Sequence, residues 1–291
     1  MLTVNVDVAG FVAKVGPGVT AVKPGDRVLG YAGAFLTGNN KHGAFQTYST
    51  VSEFAVTKIP DALGFKEAST IPQGVGTAVT ILFDSLSLPL PTGAGYSRAT
   101  ASLAPYIILI WGASSSVGFF TAQIARMVGL TVYGVASETH HAKLRSTGAS
   151  EVFDYHSPTV VEDIVAAAKR AGKTISYAVD SISVAETIAP VMKVLAQGPP
   201  RTRKLAYTAL WPQDEPQING INTVHPSGED ILDRRVDLCS WLFNSALPKW
   251  LEEGAVEPLR HQAVGGGISG VQDAMNRLKE GVHMEKLLVE L

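Results

Sequence analysis

Hydrophobic and polar positions change rhythm along this chain. Val4, Val6 and Val8 alternate with polar residues, the period of a half-buried strand. Gly16-Pro17-Gly18 and Lys23-Pro24-Gly25-Asp26 are turn clusters. Val12–Val15 and Arg27–Tyr31 read as strands around them, so residues 1 to about 60 look all-β. Short helices are expected over Glu67–Ile71 and Gly76–Leu86. Pro89–Pro105, with its prolines, glycines and hydroxyl residues, reads as a surface loop, with an inserted lid as the alternative.

From Tyr106 the pattern turns to alternating β and α. Tyr106–Trp111 is a continuous apolar run, as in a strand buried on both faces. Val117, Phe120, Ile124, Ala125 and Val128 then recur at helical spacing, and Gly129 stops the helix. Strands are expected at Thr131–Ala136, Glu151–Phe153, Ile175–Asp180 and Lys204–Leu210. Helices are expected at 140–147, from the Ser157 cap with Pro158 to Ala171, and at 184–196. This alternation argues for a parallel sheet with helices on both faces. Residues 213–230 are rich in turn formers, Ile231–Leu251 looks partly helical, and Val271–Lys279 and Lys286–Leu291 close the chain as helix and strand.

Composition narrows the classes. The 291 residues suggest two domains, and 46% apolar against 17% charged residues supply a core. A net charge of −2 leaves no field for a nucleic-acid backbone or an anionic membrane. The longest strongly apolar run, Tyr106–Trp111, is far short of the roughly 20 residues of a membrane span. MLTVNVDVAG lacks the basic flank of a secretory signal. One cysteine, Cys239, excludes a disulfide framework and a Cys-rich zinc site, and fits a reducing, cytoplasmic setting.

The candidate chemistry sits after the apolar run. Gly112-Ala113-Ser114-Ser115-Ser116-Val117-Gly118 joins a strand to a helix, which presents free backbone N–H groups and the positive end of a helix dipole. Aligned on Gly118, the dinucleotide fingerprint G-x-G-x-x-G here has Ala113, Ser115 and Gly118. The position that holds a ribose-binding acid in NAD sites is taken by Ala136-Ser137. Ser137 can bond a 2′-phosphate and His140 or His141 can add donors, which leans to NADPH. Glu138 opposes that, and two merely solvated histidines is the competing reading.

GDRV at 25–28, GAFQTY at 43–48, IPQGVGTA at 71–78, GASSSVG at 112–118 and VFDY at 152–155 together resemble the medium-chain dehydrogenase/reductase superfamily. The chain is most similar to its zinc-independent, quinone-oxidoreductase-like branch, and within it to fungal trans-acting enoyl reductases of polyketide pathways. The resemblance implies an α/β fold: a Rossmann doubly wound parallel sheet plus a truncated GroES-like β domain, with the active site in the cleft between them. It assigns 1–80 to an N-terminally short GroES-like catalytic domain, 81–245 to the Rossmann domain and 246–291 to the return to the catalytic domain. Family members carry a few dozen residues ahead of the segment matching MLTVNVDVAG, so either the sequence is truncated at this end or it is a natural short form with a more open cleft.

The same resemblance places cofactor contacts residue by residue. Ser114, Ser115, Ser116, Val117 and Gly118 would line the pyrophosphate. Ser137, His140 and Tyr155 would meet the 2′-phosphate, Thr77 the nicotinamide side, and Val282 and His283 would close over the cofactor. Gln73, Gly74 and Val75 would border the substrate. No metal is expected: the family's catalytic zinc needs Cys and His ligands, and His42, without a partner nearby, reads as a loop histidine. The implied activity is NADPH-dependent reduction of an activated C=C bond in an enoyl thioester or α,β-unsaturated carbonyl, small or carrier-bound, with a polyketide synthase as partner. No residue is singled out as proton donor, and monomer and homodimer stay open. The alternatives are an NADPH quinone or aldehyde reductase, and a cofactor-binding protein without redox turnover, acting as a partner subunit or catalysing a non-redox rearrangement.

Overall fold

The computed structural model describes residues 6–91, 101–199, 202–212, 219–228 and 230–291. Val4, the middle of the 89–105 loop and residues 213–218 therefore lie outside the described residues. The chain divides into two compact units, Met1–Thr77 with Gly228–Leu291, and Ala78–Ser227.

The first unit opens with an antiparallel sheet of β1 (Asp7–Phe11), β2 (Arg27–Tyr31) and β3 (Val56–Lys58) in that order. Leu29 and Tyr31 of β2 are buried, and the Tyr31 hydroxyl donates to the Gly228 carbonyl at 2.8 Å. Val12–Val15 is not a strand. Val12 exchanges backbone bonds with Gly25 and Asp26, and the chain then leaves the sheet through exposed Lys14 into the Gly16 turn. The first short helix is Phe65–Ala68, and the second begins early, as Pro72–Val79, widening into a π turn over Thr80–Ser85.

The second unit is a six-stranded sheet. β4 (Tyr106–Trp111), β5 (Thr131–Val135), β6 (Glu151–Phe153), β7 (Thr174–Asp180), β8 (Lys204–Tyr207) and β9 (Asn222–Val224) stand in the order β6-β5-β4-β7-β8-β9. Every pair is parallel. Ile107, Leu109 and Trp111 of β4 join a core with Ile164 of the helix Val160–Ala171 and Ile188 and Leu195 of the helix Ala185–Leu195. Ile108 and Ile110, equally buried, point to the other face by the strand's two-residue period. Each such side chain contributes about 1.5–3 kcal/mol through burial. β8 stops short of the expected Leu210, which is 85% exposed. The helix expected from Ser157 starts at Val160, because Ser157 Oγ accepts the Thr159 N–H and holds a turn ahead of it.

The chain then returns to the first unit. Helical pieces Asp230–Asp233, Val236–Trp241 and Leu247–Glu252 are followed by the parallel pair β10 (Arg260–Val264) and β11 (Glu285–Val289). The return begins at Gly228, where sequence reading put 246. The reason is packing: Thr57 Oγ1 donates to the Phe243 carbonyl at 2.6 Å, and Asn244 Nδ2 donates to Val56 O at 3.0 Å. Cys239 is fully buried here, and burial pushes its thiol up to about 12. Native protein at pH 8 should therefore resist iodoacetamide and react once unfolded. Labelling at the rate of a free thiol before unfolding would refute this.

Candidate cofactor site

The turn after β4 is built by close approach. Gly112 has φ +72°, and a Cβ there would lie 2.6 Å from Ile182 Cγ1. At Gly118 a Cβ would lie 2.3 Å from the Gly112 carbonyl oxygen, so only glycine lets helix and strand meet. Ser115 caps the helix Ser116–Met127: its Oγ accepts the Gly118 N–H at 3.1 Å. Gly112 and Ala113 N–H both donate to Val135 O, at 3.1 and 3.0 Å, which ties the turn to the end of β5. Ala136 N–H donates to Phe153 O at 3.0 Å, tying the end of β5 to β6. The turn 112–118, the Ser137–His140 turn and Tyr155 therefore line one edge, at the C-terminal ends of three adjacent parallel strands.

Sequence reading missed the fourth strand end. β7 lies beside β4, where the strand order reverses, the position at which open parallel sheets bind ligands. Among the described residues, the buried side-chain polar atoms without a hydrogen-bond partner are Ser116 Oγ, Asp180 Oδ2 and Ser181 Oγ. Ser116 follows β4, Asp180 is the last residue of β7 and Ser181 comes directly after it. Such atoms cost about 1–3 kcal/mol each unless something satisfies them. Burial pushes the Asp180 carboxyl up, and the Thr187 hydroxyl and the N–H groups of Ser183 and Ile182 pull it partly back. Asp180 Oδ1 accepts the Ile182 and Ser183 N–H groups, both at 2.9 Å. Ser183 is held at φ +61°, with its Oγ donating to Asp180 O and accepting the Thr208 N–H, both at 2.8 Å. A strand ending in Asp-Ser-Ile-Ser before a helix was the available signal. The order of pairing that places it beside β4 was not.

The remaining expected site residues lie in the first unit. Gly74 and Val75 are buried in the helix Pro72–Val79, and Gln73 is its exposed member, with its N–H donating to Asp7 Oδ1 at 2.6 Å. Thr77 is buried, and its Oγ1 lies 3.1 Å from where a Cβ on Gly228 would stand. Val282 is half-buried and His283 exposed, just ahead of β11. Among the described residues, no group of three His, Cys, Asp or Glu side chains could hold a metal ion. None of their helices is long and apolar enough to cross a membrane.

The glycine-tight turn, the reversal of strand order and the small antiparallel sheet define a dinucleotide-type oxidoreductase scaffold. The pattern of the alcohol dehydrogenase GroES-like domain matches residues 2–61, and that of zinc-binding dehydrogenases matches 116–215. The chain belongs to the medium-chain dehydrogenase/reductase superfamily. The trans-enoyl reductase tndF of Aspergillus flavipes is 34% identical, over 98% of this chain and 81% of its own length. Among solved structures, CurK enoyl reductase aligns with a TM-score of 0.76 at 18% identity, over 99% of this chain and 79% of that one. Mycobacterial Rv1454c complexed with NADPH aligns with a TM-score of 0.68 at 19% identity, over 98% and 81%.

Proposed function

We propose that this chain is a zinc-independent, NADPH-dependent reductase of an activated C=C bond, acting in trans on an enoyl thioester delivered by a polyketide synthase in the cytoplasm. The observation that carries this is the row of unpartnered buried polar atoms beside a glycine-tight turn, at the reversal of strand order. These residues fit a dinucleotide. Ser114–Gly118 would hold the diphosphate through backbone N–H groups and the Ser116 hydroxyl. Ser137, His140 and Tyr155 would take the 2′-phosphate, and Ser181 a polar group toward the nicotinamide. Thr77, Val282 and His283 would face the nicotinamide side, and Gln73, with Gly74 and Val75 behind it, the substrate.

When bound, the nicotinamide supplies a hydride to the β-carbon of the substrate. The chain's own part is placement: the turn fixes the diphosphate, and the strand ends fix reach along the sheet edge. Its one cysteine is kept as a neutral thiol by burial, which makes it a poor zinc ligand. The similarity to trans-enoyl reductases, tndF among them, supports the C=C reading.

NADPH consumption with an enoyl thioester tests the activity. Consumption with quinones alone, or tight binding with no consumption, would overturn it. Ser137→Asp should weaken NADPH binding at least tenfold, or about 1.4 kcal/mol, by repulsion of the 2′-phosphate. Unchanged affinity by calorimetry would remove Ser137 from the site.

A further inference from the structure

We propose that a cavity in the first unit takes the far end of the enoyl substrate, and that His42 there selects a chain of about eight carbons carrying a hydroxyl or keto oxygen at that end. This rests on the function proposed above and deepens it by naming the class of acyl group.

The cavity measures about 270 Å³ and lies wholly within the unit Met1–Thr77 with Gly228–Leu291. At about 30 Å³ for a water-sized group, it has room for roughly nine carbons or oxygens. Its walls are largely apolar: the rings of Tyr31 and Phe54, with Leu36 and Leu232. Tyr31 is fully buried at the floor, while Leu36, Thr37, Ser52 and Asp233 are exposed and form the mouth, where the polar groups keep their water. Gly33 widens the space. A Cβ there would meet only Leu232 Cδ1, at 3.7 Å, and its φ of −107° suits any residue.

Tyr31 joins this cavity to the segment assigned to the substrate. A Cβ on Gly76 would lie 3.1 Å from Tyr31 Cε1, so the glycine lets the ring rest against the helix Pro72–Val79. The Tyr31 hydroxyl is anchored on Gly228 O, beside Thr77 Oγ1. A chain whose C=C bond stands at Gln73–Thr77 therefore has the cavity one ring away.

His42 is the polar group of the wall, half-buried in the turn Asn40–His42. That turn is braced by the GAFQTY segment. Gln46 Nε2 donates to the carbonyls of Asn40, Lys41 and Gly43 at 3.0, 2.9 and 2.6 Å. Ser49 Oγ donates to Gly43 O at 2.7 Å, and Thr50 N–H to Lys41 O at 2.8 Å. Among the described residues, nothing bonds to the His42 ring. An imidazole always offers at least one N–H donor, which a hydroxyl or keto oxygen accepts. A purely alkyl chain would strip water from that donor without replacing the bond.

The test is calorimetric binding of three pantetheine thioesters, butanoyl, octanoyl and 7-hydroxyoctanoyl, to the full chain at saturating NADPH. Octanoyl should bind roughly tenfold tighter than butanoyl through its buried methylenes. The 7-hydroxyoctanoyl thioester should bind about fivefold tighter again. Gly33→Leu fills the cavity and should bring the octanoyl-to-butanoyl ratio close to one. His42→Phe should erase the advantage of the hydroxyl. NADPH consumption with the matching 2-enoyl thioesters should rank the same way in kcat/KM. Thioesters bound and reduced with no preference for length, or none for the hydroxyl, would overturn this inference alone, as would a preference retained by the variant meant to remove it. The wild-type series decides by itself if a variant does not fold. No thioester bound and none reduced would overturn the enoyl reductase reading as well.

Discussion

Gly118→Val should weaken NADPH binding by about a hundredfold, or about 2.7 kcal/mol, and lower folding stability by about 1–3 kcal/mol. A Cβ at this position would lie 2.3 Å from Gly112 O and 2.9 Å from Ala113 Cα. Both are backbone atoms of the strand-to-helix turn, so neither can swing aside as a side-chain tip would. The turn must open, and the N–H groups proposed to hold the diphosphate then diverge. Calorimetry with NADPH and a urea denaturation midpoint read the two effects separately. Wild-type affinity in a folded Gly118→Val protein would show that this turn does not bind the cofactor.

Ser183→Val should be the second large effect, about 3 kcal/mol of stability. Ser183 is 3% exposed and sits at φ +61°, a region costly for β-branched side chains by about 1–3 kcal/mol. The change also removes the acceptor of the Thr208 N–H, held now at 2.8 Å, and a part-buried orphan donor costs about 1–3 kcal/mol. Ser183→Gly relieves the backbone but still loses the hydroxyl, so its cost should be smaller. Thermal unfolding of the two variants distinguishes these contributions. Equal stability of Ser183→Val and wild type would mean that this turn carries no strain.

The sequence was most readable where burial is two-sided. Tyr106–Trp111 and Thr131–Val135 stand out as apolar runs because both faces of β4 and β5 are covered. β9 and β10 escaped notice for the opposite reason. Asn222-Thr223-Val224 is a short edge strand, and Arg260, Gln262 and Ala263 of β10 are exposed. The Gly112–Gly118 turn was legible because its chemistry is local. The Asp180–Ser183 turn was not, since its meaning comes from β7 pairing with β4, a contact between residues far apart in sequence. The start of the C-terminal return was misjudged for a related reason: the bonds that bind Phe243 and Asn244 to Thr57 and Val56 cross 186 and 188 positions.

Those long-range bonds bear on how the protein is made. The unit Ala78–Ser227 is one continuous stretch, while the other unit needs Gly228–Leu291 as well as the first 77 residues. Leu259 N–H donates to Thr70 Oγ1 across 189 positions, and Lys286 pairs with Asp7 across 279. On the ribosome, the middle of the chain can reach its native form while translation continues. Strands β1 to β3 must wait, with their core unfinished, until Gly228–Leu291 has been translated, and in that interval they are a part of the nascent protein in need of a chaperone.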